Sequence, residues 1–157
     1  LSAQGVNKII VLSHSSYMVD RRVAAKTTGV DVIVGGHSNT YLSNLSDRAE
    51  GPYPTMVGTT AIVQAYAYGK FLGELNLLFD DQGQILSATG EPLIMDAAVK
   101  EDRQLLKIRS YSNFKKPLKH ERLFCGRLTL QNDLRSPEQG HRYRASLIQS
   151  MPLHIGT

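Results

Sequence analysis

Two histidines in this sequence stand at the ends of apolar runs. In "NKIIVLSHSS" the run ends at His14, and in "DVIVGGHSNT" it passes two glycines and reaches His37. A neutral imidazole is the commonest protein ligand for zinc, manganese, iron and similar ions. One histidine on an apolar face is usually a satisfied core residue, and that reading stays open for each alone. Two at matching ends of neighbouring strands could close on one ion. A catalytic zinc needs three protein ligands and a water, and a two-metal site needs more. The nearby Ser13, Ser15, Asp20, Ser38 and Asn39 supply no carboxylate at an evident strand end. The rest of any such site is therefore expected outside this chain. A serine hydrolase is the competing chemistry, with Ser13 or Ser38 beside a histidine. There is no Gly-x-Ser-x-Gly elbow, and a serine next to its histidine on a strand points to the opposite face.

The elements that would position the pair are legible on either side. Val6 to Leu12 is rich in Ile and Val, so the sequence predicts a parallel strand buried on both faces. In "SYMVDRRVAAKTTG" Met18, Val19, Val23 and Ala24 predict the apolar stripe of a helix, with Gly29 as its stop. The strand "VDVIV" follows. Strand, helix and strand make a βαβ unit, expected to be right-handed with its strands parallel and adjacent. Both strands then end at one sheet edge, the edge where open α/β sheets bind ligands. Strands about 4.8 Å apart would bring the two imidazoles together. Gly35 and Gly36 would let the backbone turn or approach a ligand closely.

Farther along, "TYLSNLSDRAEGPYPTMVGT" reads as a polar loop. The alternating "LGELNLLFD", the turn "DDQG" and "QILSATGEPLI" predict a hairpin. "VKEDRQLLKIR" reads as a short helix or a linker. From about Ser110 the pattern weakens, with "FCGRLTL" as a candidate strand. There is no internal repeat and no low-complexity tract.

Composition sets outer bounds. The 157 residues suit one domain, or one and part of another, and 41% hydrophobic with 20% charged residues describes a globular chain. No window approaches the roughly 18 apolar residues of a membrane helix. The lone Cys125 forms no internal disulfide and is read as structural. The start, "LSAQGVNKII", has no charged n-region and reads as the middle of something. Net charge is +4, unevenly placed: residues 1–102 carry 7 Lys+Arg against 11 Asp+Glu, and residues 103–157 carry 11 against 3. The basic tail has no nucleic-acid motif, so it is read as solvated surface or part of a second domain, with no nucleic-acid partner.

"VNKIIVLSHSSYMVDRRVAAKTTGVDVIVGGHSNTYL", "EGPYPTMV", "AIVQAYAYGKFLGELNLLFDDQGQI" and "EPLIMD" together resemble the 5′-nucleotidase family of the calcineurin-like metallophosphoesterases. The resemblance covers roughly residues 5–109. It implies an α/β fold, part of a four-layer α/β/β/α metallophosphoesterase domain, with a βαβ unit followed by antiparallel strands. Residues 1–109 would be the C-terminal half of that domain, and 110–157 the linker and the truncated or divergent start of a nucleotide-binding domain.

By resemblance His14 and His37 would be metal ligands, Asn39 would lie by the substrate phosphate, and Arg135, three residues before Glu138, would contact substrate. Tyr66, Tyr68 and Lys70 lie near this edge by motif position, with strand packing as the plainer role. The cofactor would be two divalent metal ions, zinc first, with manganese, cobalt or calcium as alternatives. The substrate would be a nucleotide such as AMP, and the location extracellular, cell-surface or periplasmic. The family's earlier motifs, an Asp-x-His pair, a bridging aspartate and an Asn-His pair with the acid/base histidine, do not occur here. No catalytic acid or base is therefore assigned. The alternative is a non-catalytic fragment or basic binding module.

Overall fold

A computed structural model describes residues 1–100 and the backbone of 141–147. The expectations for "VKEDRQLLKIR" beyond residue 100, for "FCGRLTL", for Cys125 and Arg135, and for the boundary at 109/110 lie outside the described residues.

After a single 3₁₀ turn the elements are β1 (Ile10–Leu12), α1 (Tyr17–Lys26), β2 (Val32–Val34), β3 (Thr55–Val57), β4 (Thr60–Val63), β5 (Phe71–Phe79), β6 (Ile85–Ile94) and β7 (His141–Leu147). They form two sheets, one in the order β1-β2-β4-β3 and the other in the order β6-β5-β7. β1 and β2 pair in parallel as expected, with Ile10 opposite Val32 and Leu12 opposite Val34. β4 extends the parallel set on the other side of β2, and β3 closes it antiparallel. The second sheet is antiparallel throughout.

The period-two alternation of strand side chains divides the core into two layers. On one face of the first sheet Ile33 and Ile62 pack with Ala24 of α1. On the other, Val32, Val34 and Val63 pack with Leu75, Leu77 and Phe79 of β5. The order is helix, sheet, sheet, which is α/β with three of the four expected layers. Among the described residues no helix covers the outer face of the second sheet. β2 and β4 are buried at every position. Each such Val or Ile contributes about 1.5–3 kcal/mol of transfer free energy.

Three expectations need correction. The first strand is shorter than Val6 to Leu12 and is not buried on both faces. It is the edge of its sheet, and Leu12 stays 66% exposed. The helix does not bury the stripe Met18, Val19, Val23 and Ala24. It turns Asp20 and Ala24 inward, four residues apart on one face, and leaves Met18, Val19 and Val23 exposed. Its stop also comes early, since the helix ends at Lys26 and Thr27 is extended. The "polar loop" contains β3 and supplies core. Leu42 and Tyr53 are buried, and Asn44 ties the segment down by accepting from Tyr53 N–H and donating to Tyr53 C=O.

The hairpin is as expected. β5 buries Gly73, Leu75, Leu77 and Phe79, with less buried residues between. Its turn closes where Gln84 N–H donates to the Asp80 carboxylate at 2.7 Å, with Gly83 at φ 86°.

Candidate functional site

β1, β2 and β4 are mutually parallel, so the three loops that follow them emerge at one edge. Ser13 and His14 leave β1, Gly35 to Thr40 leave β2, and Gln64 to Lys70 leave β4. Three backbone hydrogen bonds carry the ladders past the strand ends: Ser13 N–H to Val34 C=O, Gly35 N–H to Val63 C=O, and Tyr66 N–H to Thr40 C=O. These bonds hold the loops in register with the sheet.

At this edge the His14 and His37 rings lie with centroids 5.3 Å apart and planes at 75°. Both residues are exposed, so both imidazoles are accessible.

The backbone at this edge is unusual. Five non-glycine residues have positive φ among the described residues: Ser16, His37, Asn39, Tyr66 and Tyr68. All five lie in these three loops. Such conformations cost on the order of 1–3 kcal/mol each and persist where the surroundings impose them, often at functional sites. Ser16, at φ 89° and ψ 152°, occupies a region that is otherwise nearly glycine-only.

Polar side chains tie the loops to one another. Ser38 Oγ accepts from Tyr17 N–H at 3.0 Å, at the start of α1. It also contacts Thr40 Oγ1 and donates to Gln64 Oε1. Gln64 Oε1 accepts a further bond from Thr40 N–H at 2.5 Å. Ser13 Oγ donates to Asp20 Oδ1 at 2.5 Å. Burial pushes the Asp20 carboxyl above its ordinary pKa, with the Ser13 bond pulling the other way. Among the described residues, three buried side-chain atoms have no partner: Asp20 Oδ2, Gln64 Nε2 and Asn39 Oδ1.

The residues singled out in the sequence divide accordingly. His14, His37 and Asn39 come together at one edge. Ser13 and Ser38, the candidate nucleophiles, use their hydroxyls in the internal network. Tyr66, Tyr68 and Lys70 lie in the loop after β4 rather than in a strand. Tyr66 packs edge-on against Tyr41 and Phe71, with the Lys70 ammonium over its ring. The sequence names Asp20 only as a carboxylate away from any strand end, and Gln64 is not singled out by residue type. For Gln64 a signal existed, because it ends the apolar run "AIV" as His14 and His37 end theirs.

Two neighbouring imidazoles suit a divalent transition metal and fit part of such a site. No group of three or more His, Cys, Asp or Glu is placed to hold a metal among the described residues.

No family model matches the chain. It is 45% identical over 114 residues to the snake venom 5′-nucleotidase of Crotalus adamanteus, covering 67% of this chain and 19% of that protein. It is 41% identical over 111 residues to the 5′-nucleotidase of Homo sapiens, covering 65% and 19%. Among solved structures, the 5′-nucleotidase precursor from Thermus thermophilus matches with TM-score 0.63 and 39% identity, over 71% of this chain and 24% of that one. The NAD nucleotidase of Haemophilus influenzae, at 23% identity and TM-score 0.53, shares the fold over 73% and 28%. The chain thus spans about a fifth of the length of the curated relatives it matches.

Proposed function

Because the matched two thirds of the chain belong to the 5′-nucleotidase family, we propose that it is part of a metal-dependent phosphomonoesterase that hydrolyses nucleoside 5′-monophosphates to nucleoside and phosphate. The observation that carries this is the His14–His37 pair at the shared edge of β1 and β2. His14 and His37 would hold metal. When bound, two divalent ions, zinc first and manganese, cobalt or calcium as alternatives, would supply Lewis-acid polarisation of the phosphoryl oxygens.

The chain's own residues contribute position and hydrogen bonding. Asn39 would face the phosphate with its Nδ2 as the donor, while its Oδ1, an acceptor, has no partner among the described residues. The left-handed backbone at His37 and Asn39 fixes the direction in which both side chains leave the turn. Arg135, carried over from the resemblance, would add a cation toward the substrate. A nucleotide such as AMP is the proposed substrate, and an extracellular, cell-surface or periplasmic setting is proposed. No helix among the described residues is long and apolar enough to cross a membrane.

Ligand counting favours an inactive chain in isolation. Among the described residues, two imidazoles can hold one ion loosely, cannot place two, and leave no acid for the leaving group. The exposed Leu12, Met18, Val19 and Val23, on the edge strand and its helix, fit a domain that continues past β1. The test is phosphate release from AMP with added zinc or manganese. The 157-residue chain alone should give little or no turnover, and a chain of the relatives' full length should give metal-dependent turnover. Robust turnover by the short chain in chelator would overturn the metal mechanism.

A further inference from the structure

Asp20 and Gln64 are each 1% exposed, and each has one end committed to a histidine-bearing loop. Asp20 Oδ1 holds Ser13, the neighbour of His14. Gln64 Oε1 holds Ser38 and Thr40, which flank Asn39 in the turn that begins at His37. The Thr40 N–H can only donate, so it fixes which end of the Gln64 amide is oxygen. The nitrogen therefore points the other way, where Nε2 has no partner among the described residues. The other end of Asp20, Oδ2, is also buried and without a partner among the described residues.

These two ends flank the same point. A Cβ on Gly35 would lie 2.5 Å from Asp20 Oδ2 and 3.4 Å from Gln64 Nε2. An acceptor and a donor, both removed from solvent, thus face the space over the Cα of a glycine two residues before His37. Leaving either unpaired costs about 1–3 kcal/mol, and more for a charge.

We propose that Asp20 and Gln64 form a positioning pair across Gly35, with the Gln64 Nε2 donor and the Asp20 Oδ2 acceptor facing the same space without a direct hydrogen bond between them, and that this pair holds the His14 and His37 loops in apposition. Neither residue touches substrate. The pair acts by locking the three loops of the edge as one unit. Gly35 is required because a side chain there would occupy the space between the two groups. The inference deepens the proposed metal site, but it concerns the spacing of the two imidazoles and can be read without metal.

The test reverses the polarity of the pair in the full 157-residue chain, free of metal. The readouts are the through-space NMR contact between the His14 and His37 rings and the amide-exchange protection of β5 and β6. Gln64→Glu sets a carboxylate against Asp20, so the ring contact should be lost. Asp20→Asn added to Gln64→Glu restores a donor–acceptor match. The Asn oxygen still accepts from Ser13 and its nitrogen faces the new Glu, so the ring contact should return. A purely structural role would track β5–β6 protection in every variant. Persistence of the ring contact in Gln64→Glu overturns the proposal, as does failure of the reversed pair to regain it, folded or not. A Co2+ titration of the same variants separates the two readings. Outer partners of metal ligands typically carry about 10–100-fold in affinity, so Gln64→Glu should change Co2+ binding and the reversed pair, with the native net charge, should restore it. Ring contacts that behave as expected in a chain that binds no Co2+ would leave the positioning pair standing and remove the metal reading.

Discussion

The loop edge of the first sheet and the β5–β6 hairpin are built on opposite terms. In the hairpin, buried and half-buried residues alternate along most of β5, and the only positive φ at the turn is on a glycine. Its local preferences and its tertiary role agree. At the edge, five non-glycine residues sit at positive φ, and three buried polar atoms lack partners among the described residues. Consistency across levels is what makes a sequence specify a fold, and departures from it concentrate where function sets the geometry. The hairpin and the buried β2 and β4 supply the stability that lets the edge keep its strain.

That contrast predicts that substitutions at the edge damage chemistry, while those in the hairpin damage stability. The largest effect is expected at the histidines. In a chain of the relatives' full length, His14→Ala or His37→Ala should each lower AMP turnover by orders of magnitude, because losing a ligand disturbs the ion and its water. Their denaturant midpoints should barely move. A full-length His37→Ala enzyme with native turnover would remove the assigned role of that residue.

Asn39→Ala should come next, with a loss on the order of 10²–10³ in kcat, the usual worth of one preorganised donor to a charged transition state. An unchanged kcat would place its amide outside the reaction.

The hairpin should answer in the opposite sense. Leu77→Ala, in the core between the sheets, should cost about 2–5 kcal/mol of unfolding free energy. The His14–His37 ring contact should persist wherever the chain remains folded. If Leu77→Ala separates the rings in a folded chain, the two regions are not independent.

The smallest expected effect is a gain. Ser16→Gly should stabilise the chain by about 1–3 kcal/mol, measured by urea denaturation, since it relieves a backbone conformation that suits glycine. No gain would mean that the serine side chain compensates for its φ.

The same contrast explains what could be read from the sequence. The hairpin was legible because alternation and the "DDQG" turn are local signals. The histidine pair was legible because two apolar runs end alike. Asp20 was not, since an acidic residue in the first turn of a helix looks like an ordinary surface partner of the helix dipole. Only its packing against Ser13 and Gly35 shows it to be buried. The exposed side chains of α1 mislead for the same reason, because periodicity gives a stripe but not which neighbour covers it. β3 was hidden in a segment whose prolines and polar residues outweigh three strand residues, Thr55 to Val57.

The central claim is that the carboxyl edge makes His14 and His37 two ligands of one divalent ion. The most direct measurement is an NMR titration of the histidine ring signals of the 157-residue chain with Zn2+. The account predicts that the His14 and His37 signals shift together along one binding curve, and that His14→Ala or His37→Ala abolishes the response of the remaining partner. Signals that do not move, or a His14 response that survives His37→Ala unchanged, would contradict it.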